Sequence, residues 1–361
     1  MIPLVEPWID DACAEAVRGQ VASGFLGPGE TCRRFAEMLA AYVGAEHCLT
    51  TTSGTMALSL AAIALGLKPG DEILVPAYGV ISTINAFASI GLSPRLVDID
   101  PATGCMDPAA LRLRLRPQTK AVCFVDFSGH AAQPLVEVAD ICREAGVPLI
   151  EDAACALGST WQGRRAGSFG TVSIVSFSVP KIITTGQGGA LFTNSAALRD
   201  TAAAYMDHGD LDWRRTNLHR AIGTNLRFND VSAALGLAQL QTLDARLARK
   251  RAAYTALQAA LGDRLYAIPN DEAPLYNIVF APDPDALVQE IRAAGFAASR
   301  HYRCLSENPA YAHLGDQAFP GADHWSQQAV FLPLGLALEA EDAARMGRAT
   351  AAALDRRGIT A

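Results

Sequence analysis

Lys181 stands in the segment SIVSFSVPKIITTGQGG as the only charged side chain between Arg165 and Arg199. A lone cation in an apolar stretch has two readings. It is a strand-end lysine whose stem snorkels to water, or an amine whose pKa is lowered by desolvation, nucleophilic near neutrality and able to form a Schiff base. The chain has four lysines against twenty-six arginines, and the other three, Lys68, Lys120 and Lys250, read as solvated surface groups in a turn, before a strand and on a charged helix. Asp152 follows the apolar run VPLIE and begins the small-residue loop DAACALGS. A carboxylate at the carboxyl end of a parallel strand lies where α/β sheets place ligands. There it either caps the next helix or pairs with the ring nitrogen of a pyridine cofactor and preserves its electron sink. The stretch TTSGTMALSLAAIALGL opens a helix at Gly54 and Thr55, where backbone N–H groups and nearby hydroxyls suit a phosphate. An amine, an acid and an anion cradle together suit pyridoxal phosphate (PLP).

These groups need a scaffold, and the hydrophobic pattern supplies one. From about residue 48 to 195, apolar β-type runs alternate with Ala-rich helical stretches, as in an α/β domain with a mostly parallel sheet. Strands are predicted at Glu72–Pro76, Ser93–Asp98, Ala121–Asp126, Val147–Glu151, Val172–Phe177 and Gly189–Thr193, each short, apolar and bounded by Gly, Pro or Asp. Helices are predicted at Thr55–Leu67, Ser82–Ile90, Pro108–Leu115, Leu135–Ala145 and Asn229–Ala260. The texture changes around the charged stretch LDARLARKRAAY. We therefore expect a large α/β domain over 1–245, with an N-terminal arm, and a smaller α+β domain over 246–361. The smaller domain should hold strands near Asn277–Ala281 and Ala329–Leu332 and helices at Asp283–Ala294 and Glu339–Arg357.

Composition narrows the function classes. A chain of 361 residues, half of them hydrophobic, can bury a large core. A formal charge of −7 gives no attraction to nucleic acid or anionic membrane, and no apolar run is long enough to span a bilayer. Eight cysteines are scattered without a CxxC pair, which, with no signal-like N-terminus, predicts a reduced cytoplasmic protein. His47, His130, His208, His219, His301, His313 and His324 show no ligand spacing, and no metal is expected.

The segments TTSGTMAL, GDEILVPAYGVISTINAF, VPLIEDAACALGS, SFSVPKIITTGQGGALFTN, GTNLRFNDVSAALGLAQL and FLPLGLALEAED together resemble the DegT/StrS-type sugar aminotransferases. That family has PLP fold type I: a large, mostly parallel but mixed sheet of about seven strands and a smaller C-terminal α+β domain. The resemblance implies that Lys181 holds PLP, Asp152 pairs with the pyridine nitrogen and Ser176 contacts the phosphate, with Gly54 and Thr55 as its backbone cradle. It also implies that Asn225 reaches the phosphate of a neighbouring subunit, so that a homodimer shares its active sites. Arg227 reads equally as structural or functional, and His208 and His301 as substrate-side or dimer-side polar groups or as ordinary loop histidines. Two positions depart from the family pattern. Cys155 stands where a glutamine helps hold the ring hydroxyl, and Val80 where an aromatic stacks on the ring, with Tyr78 two residues earlier. The implied reaction moves an amino group from L-glutamate to a nucleotide-linked keto sugar, for amino-sugar and polysaccharide biosynthesis. The alternatives are a cyclitol or other non-nucleotide ketone as acceptor, or a PLP-fold regulatory protein. Retention of Lys181 speaks against the branch in which histidine replaces that lysine. Residues 207–221 and 301–311 and Val80 are expected to set substrate choice.

Overall fold

The apolar runs form the sheet that their alternation with helices requires. The computed structural model describes residues 1–129, 133–269 and 275–359, so His130 lies outside the described residues. In chain order the strands are β1 (His47–Thr51), β2 (Glu72–Pro76), β3 (Ser93–Val97), β4 (Thr119–Val125) and β5 (Leu149–Asp152). A two-residue-per-arm hairpin of β6 (Thr160–Trp161) and β7 (Arg164–Arg165) precedes β8 (Val172–Ser176) and β9 (Gly189–Thr193). One seven-stranded sheet has the order β1-β9-β8-β5-β4-β2-β3. It is parallel from β8 to β3, while β9 runs antiparallel to both of its neighbours, so the sheet is mixed as expected. β2 and β9 are buried at every residue, the reason those runs show no polar alternation.

The helix Gly54–Ala64 lies against β8 and β9. Ser53 caps it, its Oγ accepting from Met56 N at 3.1 Å, and Ala57, Leu58, Leu60, Ala61 and Ala62 are all buried. Burying each leucine there contributes about 1.5–3 kcal/mol. The alanines beside them let the helix come close to the sheet, which brings its N-terminus to the ends of β8 and β9.

The smaller α+β unit pairs β10 (Asn277–Phe280) antiparallel with β11 (Ala329–Leu332) and carries helices Pro284–Ala293 and Ala340–Asp355. Its last helix packs along Leu243–Leu261. A Cβ on Gly347 would stand 2.6 Å from Ala260 Cβ, so this close approach needs glycine. Residues 245 and 246 both lie inside the helix Leu243–Leu261.

Several expectations are corrected. The helix expected over Asn229–Ala260 is two helices, Asp230–Gln241 and Leu243–Leu261, divided at Thr242. Thr242 Oγ1 donates to Gln239 O at 3.2 Å and accepts from Arg246 Nε at 3.1 Å, the local side-chain bonding that competes with a continuous helix. Strand β1 and helices Asp11–Ser23, Glu30–Val43 and Ala196–Met206 were not anticipated. The second of these helices was legible, since Cys32, Phe35, Leu39, Ala40 and Val43 form one buried stripe. Lys250 is not a solvated surface group. It is 7% exposed and its Nζ donates to Leu334 O. Lys68 and Lys120 are exposed as expected. Among the described residues, no helix is long and apolar enough to cross a membrane.

Candidate active site

Neighbouring residues on a strand face opposite sides, and the pair at the end of β5 divides its work accordingly. Glu151 is fully buried and accepts from Gly167 N (2.5 Å), Phe169 N (2.7 Å), Gly170 N (2.9 Å) and Ser173 Oγ (2.8 Å), which folds the 167–170 turn onto the sheet. Asp152 is 3% exposed; its Oδ2 accepts from Thr83 Oγ1 at 2.8 Å and its Oδ1 from Ala154 N at 3.1 Å. Desolvation raises its pKa, opposed by Thr83, Ala154 and the charge of Lys181, and the balance stays above the ordinary carboxylate value. A buried acid held in place by neutral donors is ready for a cationic N–H.

The adjoining corner is shaped by two glycines. A Cβ on Gly54 would lie 2.8 Å from Ser176 Cβ, and a Cβ on Gly189 would lie 2.6 Å from Gly54 N. Only glycine at both positions lets the helix start, β8 and β9 meet. Ser176 Oγ lies 3.3 Å from Ser178 Oγ and accepts from Ser178 N at the same distance. With the N-terminal N–H groups of the helix, these hydroxyls make a corner rich in donors.

Lys181 follows in the next loop, its N donating to Ser178 O at 3.0 Å. Buried Gln239 grips that loop from the neighbouring helix, its Oε1 accepting from Thr184 N at 3.0 Å and its Nε2 donating to Thr184 O at 2.6 Å. Lys181 Nζ donates to Cys155 Sγ at 3.1 Å. The expectation of a lowered amine pKa is corrected. Burial does push it down and is the largest single influence, yet Cys155, Tyr302 and Asp152 together outweigh it and the pKa is raised.

Gly54, Thr55, Val80, Asp152, Cys155, Ser176 and Lys181 all line one cavity of about 280 Å³. Val80 precedes the helix Ile81–Ala88 and presents an aliphatic wall. Tyr78 cannot swing in. It is fully buried, its OH donates to His301 O at 2.6 Å, and it accepts from Tyr302 N at 2.8 Å. Asn225 is exposed and lies outside this cavity, with Oδ1 accepting from Arg227 Nε at 3.0 Å. Arg227 pairs with Asp207 at 2.9 Å. His208 packs edge-on to Trp213, and His301 stacks on Tyr302 beside a separate recess with Arg300 and Arg303. Sequence reasoning missed Thr83 and Gln187, both of which line the cavity, and it marked Tyr302 only within the range 301–311. Thr83 alone carried a signal, as a hydroxyl in the first turn after a buried strand. Among the described residues, no cluster of His, Cys, Asp and Glu could hold a metal.

The donor set fits PLP. Lys181 offers an amine, Asp152 a buried acid for the ring nitrogen, and the Gly54–Ser176 corner a cradle for a dianion, all around one ligand-sized space. The sequence profile of the DegT/DnrJ/EryC1/StrS aminotransferase family matches residues 7–350. The chain is 32% identical over 332 residues to the GDP-perosamine synthase of Caulobacter vibrioides, covering 86% of this chain and 87% of that one. It is 33% identical over 301 residues to the 3-amino-5-hydroxybenzoate synthase of Amycolatopsis mediterranei, covering 80% and 77%. The crystal structure of the aminotransferase TlmJ from Streptoalloteichus hindustanus aligns with a TM-score of 0.92 at 31% identity, over 99% of this chain and 100% of that one. Matched along nearly its whole length in sequence and in fold, this chain belongs to the DegT/DnrJ/EryC1/StrS aminotransferase family and is a PLP-dependent aminotransferase.

Proposed function

We propose that this aminotransferase moves an amino group from L-glutamate to a nucleotide-linked keto sugar, with Lys181 first as covalent anchor of the cofactor and then as acid/base. The observation that carries the reading is that Lys181 and Asp152 share one cavity with the Gly54–Ser176 corner. PLP, when bound, supplies the electron sink that lets the C–H bond beside the amine ionise. Asp152 holds the ring nitrogen protonated, oriented by Thr83 and Ala154. Gly54, Thr55 and Ser176 would hold the phosphate, and Val80 and Cys155, which line the same cavity, would flank the ring. With the cofactor bound, Lys181 Nζ would be the group that takes up and returns the proton of the donor's α-carbon. Asn225, exposed and outside its own chain's cavity, serves the phosphate of a second copy in a homodimer with shared sites. Cys13, Cys32, Cys48, Cys123, Cys142, Cys155 and Cys304 are free thiols, in keeping with a reduced cytoplasmic setting.

A second reading has an observation of its own. One relative named above carries a nucleotide in its name and the other, 3-amino-5-hydroxybenzoate synthase, does not, so a cyclitol or free keto sugar acid is the rival acceptor. A panel of ketones with glutamate, scored by 2-oxoglutarate release, separates the two. Turnover with nucleotide-linked ketones supports the first reading, and turnover only with unlinked ones replaces it with the second. Borohydride reduction of the holoenzyme should leave the cofactor on the peptide that contains Lys181, and label on any other peptide removes the anchor role.

A further inference from the structure

The loop that carries Lys181 is held in two different ways along its length. Between Ser176 and Gly189 the chain forms neither helix nor strand. Gln239 grips the loop at Thr184 by hydrogen bonds, whereas the half with the lysine depends on packing. Ile182 and Ile183 are buried in one apolar cluster with Phe177 and with Leu336 from the turn after β11, and Trp8 of the N-terminal arm packs against it. Loop residues 179–182 and arm residues 5–7 enclose a void of only about 10 Å³, closed by Gly335, Leu336 and Lys250. Lys181 lines both this void and the ligand-sized cavity, so its loop is a thin partition between the chain ends and the site.

The arm and the turn behave as one strap. Leu334 N donates to Leu4 O at 3.0 Å and Ala337 N to Glu6 O at 3.4 Å, while Ile2 N is tied to Gly295 O at 2.9 Å. The helix Leu243–Leu261 clamps both parts. Arg246, Arg249 and Lys250, spaced i, i+3 and i+4, share one face, and each donates to a main-chain carbonyl. Arg246 Nη1 reaches Trp8 O at 2.8 Å, Arg249 Nε reaches Leu336 O at 2.6 Å, and Lys250 Nζ reaches Leu334 O. The guanidinium carbons of Arg246 and Arg249 also stand 5.0 and 5.1 Å from the centre of the Trp8 ring, within range of cation–π attraction. Charged donors make the stronger hydrogen bonds. Trp8 and Leu336, the two strap residues that reach the cluster, are thus each held by an arginine, whereas Lys250 holds Leu334, which lies outside that cluster.

The chemistry of the lysine explains why such backing matters. A misplacement of about 1 Å at a reacting group can cost about 10²-fold in rate, and a segment with few hydrogen bonds opens locally unless buried apolar contacts hold it. We propose that Trp8 and Leu336, clamped by Arg246 and Arg249, are positioning residues for Lys181: they hold its loop from behind, so that the amine keeps its place in the cavity. This rests on Lys181 being the acid/base proposed above.

The test compares Arg249→Met, which loses the donor to Leu336 O, with Arg249→Lys, which keeps a cationic donor. In the apoprotein, amide hydrogen exchange of residues 178–186 should rise about tenfold in Arg249→Met, together with that of residues 333–338, while β2 keeps the wild-type rate. In the holoenzyme, kcat should fall about fivefold with the KM for glutamate within about twofold, since the loop acts on the proton-transfer step. Arg249→Lys should return both readings to within about twofold of wild type. Should Arg249→Met not fold, Leu336→Val, which trims the side chain inside the cluster, carries the same two measurements. An unchanged exchange rate at 178–186, an unchanged kcat, or a uniform rise in exchange that includes β2 overturns the proposal. Borohydride mapping distinguishes the two levels. Label on Lys181 with exchange at 178–186 unchanged sinks only the positioning role, and label elsewhere sinks the lysine assignment with it.

Discussion

Lys181 and Lys250 are two of the four lysines in the chain, the first half-buried at the cavity and the second buried, and they titrate in opposite directions. Lys181 has Cys155 at 3.1 Å with Tyr302 and Asp152 nearby, and its amine is held above the usual value. Lys250 meets a neutral carbonyl, Leu334 O, and desolvation alone brings its pKa down to about 7. By proton affinity Lys250 is the better nucleophile at neutral pH. Space reverses the order, because Lys250 lines a cavity of about 10 Å³ whereas Lys181 opens on one of about 280 Å³. A void of the smaller size holds at most about one water. The difference teaches that burial does not select the reactive lysine; room for a ligand and a set of polar neighbours do.

The largest effect that could break this comparison is on turnover. Lys181→Arg should lower transamination by about 10³-fold or more, since it removes both nucleophile and proton carrier, while Lys250→Met should stay within about threefold of wild type on the same 2-oxoglutarate assay. Retained activity in Lys181→Arg would end the distinction.

A smaller effect sharpens it through stability. The Lys250 pKa is depressed on folding from 10.5 to about 7, so between those values the unfolded chain binds more protons and stability rises with pH. The cost of burying the lysine is fully present below about pH 7. Lys250→Met should therefore stabilise the fold by about 1–3 kcal/mol at pH 6.5. That gain should shrink by about 1–2 kcal/mol at pH 9, leaving the lost hydrogen bond to Leu334 O as an opposing cost. Chemical denaturation at the two pH values checks this, and a pH-independent difference contradicts it.

The smallest effect concerns Asp152, the acid of the pair that gives Lys181 its setting. Thr83→Val removes one neutral donor from a buried carboxylate, which costs about 1–2 kcal/mol. We expect cofactor affinity to weaken by about tenfold, read by equilibrium titration of the apoprotein, with the cofactor still on Lys181.

The parts of the site legible in the sequence are those whose signal is local. A charge alone in an apolar run marked Lys181, an acid after a buried strand marked Asp152, and a hydroxyl–glycine helix start marked Gly54 and Thr55. The misreadings share one cause. LDARLARKRAAY looks like a solvated helix, yet Arg246 is fully buried with its Nη1 donating to Trp8 O at 2.8 Å, and Lys250 meets the turn after β11. The two ends of the chain cover that helix, and no window of sequence around it records their return. The setting of Lys181 is hidden for the same reason, since Tyr302, which acts on its charge, lies more than a hundred residues further along the chain.

By itself the sequence determined the kinds of groups available, the strands that carry them and the order of those strands along the chain, because apolar periodicity and isolated charges act over a few residues. Tertiary structure alone decided which lysine faces a ligand-sized space and which proton donors stand beside it. Those outcomes depend on distances between segments far apart in the chain, and such distances exist only once the segments have packed.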